Sequence, residues 1–108
     1  KVTQLRNAGA KEIHFRVSCP PVRCPCYFGI DFPDPNQLIA NNRTVDEICQ
    51  YIGADSLHYL SMEEMLSAVS KPAEHYCTAC YSGEYRLDVK NPASKLALER
   101  YQMRIFST

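Results

Sequence analysis

The chain has 108 residues, with 12 Lys plus Arg balanced by 12 Asp plus Glu. Divided after Ala54 it carries +6/−5 and then +6/−7, so neither half is a basic arm, and binding to nucleic acid or an anionic membrane by bulk charge is not indicated. No apolar run reaches the roughly 18 residues of a membrane span, and Lys1 to Pro20 lacks the apolar core of a signal peptide.

The expectation is a soluble chain of one domain's size, in a reducing compartment. Six cysteines, Cys19, Cys24, Cys26, Cys49, Cys77 and Cys80, are too few for the composition of a disulfide scaffold, about 8 to 10% Cys. An even count still allows three bridges. Without a secretion signal, clustered thiols point instead to metal or redox chemistry.

"KVTQLRNAGAK" reads as a helix already under way, with Val2, Leu5 and Ala8 on one face and Gly9 ending it. The chain is therefore expected to be a piece of something longer. "EIHFRV" alternates Ile13, Phe15 and Val17 against Glu12, His14 and Arg16, the period of a strand with one buried face. From Ser18 to Pro35, five prolines forbid regular ladders and helices. That stretch is a long, stiff loop, and it carries Cys19, Cys24 and Cys26.

Asp34 before Pro35 predicts a capped short helix through "PNQLIA". Thr44 and Glu47 form a capping box ahead of Val45, Ile48, Cys49 and Ile52, a helix that Gly53 stops. "SLHYL" (56–60) is a short strand. Ser61 and Glu64 repeat the capping box for a helix carrying Met62, Met65, Leu66 and Val69 as far as Pro72. "GEYRLDV" predicts a further strand. "SKLALERYQMRIF" predicts a C-terminal helix capped by Asn91, so that residues 91–108 form a tail on a unit of residues 1–90. The fold class is α/β, with short strands, several capped helices and a Pro-rich loop.

"HYCTACYSGEY" (75–85) holds the chain's one CxxC. Its spacing lets two sulfurs face one ion or one cluster, with nearby amides free to bond to the thiolates. A zinc ribbon requires a second such pair or an HxxxH partner, and a thioredoxin-like site requires the motif at the head of a helix after a strand. Neither pattern is met. Partners must come from the Pro-rich loop, where Cys24 and Cys26 lie two apart and on one side of an extended segment. Cys49, the one cysteine expected outside the loops, lies on an apolar helix face and reads as a core residue. His14 and His58 alternate with strand positions, whereas His75 is the better histidine candidate for a ligand. Four ligands close a structural zinc site or hold an iron–sulfur cluster, and spacing does not choose between the two.

"GAKEIHFRV", "SCPP", "PCYFGIDFP", "LIANN", "VDEICQYIGADSLHYLS" and "CTACYSGEY", in that order from about Gly9 to Tyr85, resemble the C-terminal part of the amidophosphoribosyltransferases. These are glutamine phosphoribosyl pyrophosphate (PRPP) amidotransferases of purine synthesis. The resemblance implies the C-terminal part of a type I phosphoribosyltransferase domain, downstream of the catalytic loop. It also implies a homo-oligomeric parent in the cytoplasm, or in a plastid of a plant or alga. The N-terminal glutaminase domain and the PRPP-binding motifs, with the Mg2+ that the parent uses, are not represented, so no catalytic residue is assigned and the chain alone is expected to be inactive.

One branch of the family carries a 4Fe-4S cluster on a cysteine of a "PCxxGID" segment, two of a CxxC, and one from upstream. By position, Cys26, Cys77 and Cys80 would be three ligands. Leu38 matches a position lining the family's ammonia passage, and its bland reading is a buried helix residue. The alternative is a free-standing zinc or iron–sulfur module whose fourth ligand is Cys24 or His75.

Overall fold

The computed structural model describes residues 1–30 and 34–88. In chain order it contains helix α1 (Val2–Asn7), strand β1 (His14–Val17), a 3₁₀ turn (Pro35–Gln37), helix α2 (Val45–Ile52) and strand β2 (Ser56–Tyr59). Helix α3 (Met62–Ser67), a second 3₁₀ turn (Ala73–His75) and helix α4 (Ala79–Ser82) follow. The two strands pair in parallel, His14 against Ser56 through Val17 against Tyr59. The ladder is continued at both ends, by Asp55 N–H to the Ile13 carbonyl at 2.9 Å and Leu60 N–H to the Val17 carbonyl at 2.9 Å. Parallel strands need a crossover, and α2 supplies it.

Helix α2 begins and ends as its sequence dictates. The Thr44 side chain accepts from Glu47 N–H at 3.2 Å, and the Glu47 carboxylate accepts from Thr44 N–H at 2.8 Å, the reciprocal capping box. At the other end Gly53 takes φ +73°, which an L side chain rarely adopts. There Gly53 and Ala54 donate to the Gln50 and Cys49 carbonyls. Between these caps Ile48, only 2% exposed, meets Ala40 and Leu57, with Phe15, Val17, Val45, Cys49, Ile52 and Tyr59 packed around them. Burying a side chain of that size is worth about 1.5 to 3 kcal/mol.

Arg6 of α1 crosses to Asp55 at 2.6 Å, and the same carboxylate oxygen accepts from Ile13 N–H at 2.7 Å. One carboxylate thus fixes α1, the start of β1 and the turn into β2. The Ile13 N–H above all, with Arg6 assisting, holds Asp55 below the ordinary carboxylate range against an opposing desolvation.

Four expectations need correction. "PNQLIA" is a three-residue 3₁₀ turn capped by Asp34, and Leu38 after it is already extended. Two carbonyl-directed bonds, Leu38 N–H to Pro35 and Asn41 N–H to Leu38, fold this stretch into successive turns instead of a helix. Helix α3 ends at Ser67, leaving Val69 exposed. Residues 83–88 of "GEYRLDV" form no strand; Arg86 instead donates back to the Glu74 and Tyr76 carbonyls, which draws the segment off an extended course. Cys80 lies in α4, so Cys49 is not the sole helical cysteine. The expected C-terminal helix capped by Asn91, and the tail over residues 91–108, lie outside the described residues.

Candidate metal centre

The Pro-rich loop is stapled to the CxxC by backbone. The Cys80 carbonyl accepts from both Arg23 N–H and Cys24 N–H, each at 3.0 Å. Helix α4 stops at Gly83, whose φ of +80° leaves an ideal Cβ position 3.4 Å from Cys24 Sγ. The Tyr85 hydroxyl donates to the Pro25 carbonyl at 2.6 Å, and its ring packs on Tyr27 with centroids 5.1 Å apart. On its other side the loop is held by Arg23 Nη1 donating to the Ala40 carbonyl at 3.1 Å and Asn41 Nδ2 donating to the Arg23 carbonyl at 2.8 Å. The sequence separates Cys26 from Cys77 by half the chain, and these bonds bring their segments together.

Within this arrangement the thiols differ. Hydrogen bonding from the backbone of Ile30 and then Phe28 holds the Cys26 thiol below its usual value, opposed by desolvation and reinforced least by Gly29. Burial pushes the Cys80 thiol up, and the nearby Cys26, Cys77 and Cys19 add to the rise. Cys77 is exposed, on the wall of a cavity of about 410 Å³ shared with Tyr76, Thr78, Tyr85 and Arg86. Burial raises Tyr85 to about 12, and the nearby Cys24, Tyr27, Cys26 and Cys80 reinforce the shift.

All six cysteines are free thiols. Among the described residues no three His, Cys, Asp or Glu side chains gather closely enough for one metal ion, so a single zinc completed by Cys24 or His75 finds no assembled site. His75 lies exposed in its 3₁₀ turn. A cluster sets a different requirement, because its thiolates bind separate irons instead of converging on one point. Cys26, Cys77 and Cys80 are free thiols, the donor type that such a group takes.

The remaining candidates are placed as side chains of the fold. Cys49 sits half-buried on the core face of α2, its Sγ donating to the Ala54 carbonyl at 3.4 Å. His14 and His58 are exposed, and His14 bonds to Ser56 Oγ at 2.8 Å. Leu38 is buried, at 7% exposure. Tyr81, Tyr85 and Gly83, which shape the thiol environment, were not singled out by spacing. The tyrosines crowded around the CxxC were the available signal.

The α/β fold of the described residues is that of a segment of a type I phosphoribosyltransferase domain. Two structures support this: the Bacillus subtilis glutamine PRPP amidotransferase complexed with ADP and GMP, and a structure described as the allosteric regulatory enzyme of purine biosynthesis. Each has TM-score 0.76 and 38% identity, and they match 90% and 91% of this chain and 22% of their own. No protein-family model matches the chain.

Among curated proteins the chain is homologous to amidophosphoribosyltransferases. It is 48% identical over 100 residues to that of Synechocystis and 47% over 100 residues to that of Synechococcus elongatus, each covering 91% of this chain. The chloroplastic enzyme of Vigna aconitifolia is 40% identical over 99 residues, or 90% of this chain. The chain spans about 20% of the length of these relatives.

Proposed function

We propose that this chain is the cluster-bearing C-terminal segment of a glutamine PRPP amidotransferase, whose whole protein transfers ammonia from glutamine to PRPP in the first step of purine synthesis. The observation that carries the reading is the coincidence of 40 to 48% identity across nine-tenths of the chain with the docking of the Cys26 loop onto the Cys77–Cys80 motif. Cys26, Cys77 and Cys80 would hold a 4Fe-4S cluster, bonded through their thiolates. Such a group supplies a covalent tie between distant segments. Closing so long a loop restricts the unfolded chain, as a crosslink does.

The chain's own residues prepare that tie. Backbone hydrogen bonding from Ile30 and Phe28 favours the Cys26 thiolate, α4 presents Cys80 half-buried, and Tyr85 holds the Pro25 carbonyl beside the ligand loop. Leu38 is assigned to the wall of the ammonia passage, a role its burial permits. The parent is read as a homo-oligomer of the cytoplasm, or of the plastid as the name of the Vigna aconitifolia relative states for that protein. The chain by itself is expected to release no pyrophosphate from PRPP with glutamine.

Transplantation tests the reading. Residues 9–88 replace the matching segment of the Synechococcus elongatus enzyme, and glutamine-dependent PRPP turnover is assayed anaerobically together with iron and sulfide content. Turnover with bound iron and sulfide is expected. A folded chimaera without turnover would refute the assignment, and one with turnover but no iron would refute the cluster.

A further inference from the structure

We propose that Ser56 is an activated nucleophile, with His14 as its general base and Glu12 orienting that base, and that it takes an acyl group from activated esters of small carboxylic acids. The proposal stands apart from the thiol site. Phe15, Val17, Leu57 and Tyr59 pack toward Ile48 of α2, so alternation places His14, Arg16 and Ser56 on the opposite face of the sheet. There His14 pairs with Ser56 across the parallel ladder, and its Nδ1 lies 2.8 Å from Ser56 Oγ. His14 Nε2 lies 3.1 Å from a Glu12 carboxylate oxygen. Arg16 Nη1 donates to Ser56 Oγ at 2.9 Å, and a second bond to the Phe15 carbonyl at 2.8 Å holds it there.

The partners fix the direction of each hydrogen. A guanidinium only donates, and a carboxylate only accepts. Arg16 therefore takes a lone pair of Ser56 Oγ, and Glu12 keeps the hydrogen of the neutral imidazole on Nε2. The Ser56 hydroxyl hydrogen is left to point at the open Nδ1. That is the order of nucleophile, base and orienting group used in covalent acyl transfer, and Arg16 stands where negative charge grows as the proton leaves. Past Arg16 and His58 a cavity of about 350 Å³ opens at the carboxyl ends of both strands, walled by Val17, Tyr59 and Leu60. Open parallel sheets bind ligands at that end, and the apolar wall suits a short acyl chain or an aryl leaving group.

In the reaction, Ser56 Oγ attacks the ester carbonyl carbon while its proton passes to His14 Nδ1. The bond to the leaving oxygen breaks, and His14 returns the proton to it. Water then gives a proton to His14, cleaves the acyl-serine and restores the hydroxyl. The net change is ester plus water to acid plus alcohol.

The test treats the 108-residue chain with p-nitrophenyl acetate and maps the acetylated residues over time by mass spectrometry. Ser56 should be acetylated at least ~10-fold faster than Ser67, an exposed serine whose hydroxyl donates to the Glu64 carbonyl. His14→Ala should slow Ser56 acetylation ~10-fold or more. Glu12→Ala should slow it as well, and Glu12→Gln, which keeps an acceptor for Nε2, should restore most of the rate. Circular dichroism checks folding of the variants. Ser56 acetylation no faster than that of Ser67 in the wild type, or an unchanged rate in folded His14→Ala, would overturn the proposal, and neither result touches the thiol site.

Discussion

The Cys24 N–H donates to the Cys80 carbonyl at 3.0 Å, joining two segments that stand more than fifty positions apart in the sequence. Backbone, not side chain, makes this joint, so it exists before any metal binds. It sets the order of events in the proposed site: the fold delivers the sulfurs, and the cluster then locks what is already adjacent. The joint is tight because the residue ending α4 is glycine. Gly83 has φ +80°, and Cys24 Sγ packs on the face where a side chain would begin.

Gly83→Ala should therefore act on both segments. The left-handed conformation costs an L residue about 1 to 2 kcal/mol, and the added methyl presses on Cys24. The expected outcome is a loss of about 1 to 2 kcal/mol in denaturant unfolding, with faster alkylation of Cys24 in the unloaded protein. Unchanged Cys24 reactivity would show that the loop does not depend on this contact.

Three carboxylates set the acid limit of the fold. Backbone N–H groups of Ile13, Thr44 and Ser61 are the chief causes that hold Asp55, Glu47 and Glu64 below their ordinary values. A depressed folded-state pKa means that the unfolded chain binds protons first. Stability is thus complete above the unfolded values near pH 4 and falls as pH drops through the folded ones. Thermal melts at successive pH values should show a falling midpoint below about pH 4. Asp55→Asn should flatten part of that slope and lower the midpoint at pH 7, and a slope identical to wild type would remove Asp55 from the account.

Helix α2 separates two neighbours sharply. Ile48 is 2% exposed within the core, whereas Tyr51, three residues on, is 70% exposed and meets only the Arg43 guanidinium over its ring at 4.8 Å among its described ring contacts. Ile48→Ala should cost about 2 to 5 kcal/mol. Tyr51→Ala should stay within about 1 kcal/mol, the scale of an exposed cation–π contact. Chemical denaturation of the two variants measures both, and comparable losses would mean that α2 is not seated on the sheet as described.

That contrast was legible in the sequence because period and caps are local signals. Val45, Ile48, Cys49 and Ile52 fall on one face, and Thr44, Glu47 and Gly53 mark the ends, so α2 could be read residue by residue. The strand periods of β1 and β2 were equally local. Failures came where distant partners decide. Residues 83–88 have strand-forming composition, but Arg86 is drawn to carbonyls of the preceding 3₁₀ turn. Leu38 follows a good helix cap, yet the chain turns there, with Asn41 N–H donating to its carbonyl and Arg23 donating to the Ala40 carbonyl. The three expected ligands followed from a family resemblance, whereas the packing of Cys24 against the end of α4 depends on Gly83, whose role no spacing announces.

Tyr85 offers the last test, on the unloaded chain. Burial first, then the neighbouring Cys24, Tyr27, Cys26 and Cys80, pushes its hydroxyl up to about 12, and that hydroxyl donates to the Pro25 carbonyl. Because the folded value lies above the unfolded one near 10, the folded state keeps a proton that the unfolded state loses. The contribution to stability is full below about pH 10 and disappears as pH rises toward 12. Tyr85→Phe keeps the ring against Tyr27 and removes the donor, which should cost about 1 kcal/mol at neutral pH. It should also abolish the highest-pH step in an ultraviolet tyrosinate titration and weaken the alkaline fall in stability. If that step persists in the variant, another tyrosine is its source, and the Pro25 carbonyl is not what Tyr85 holds.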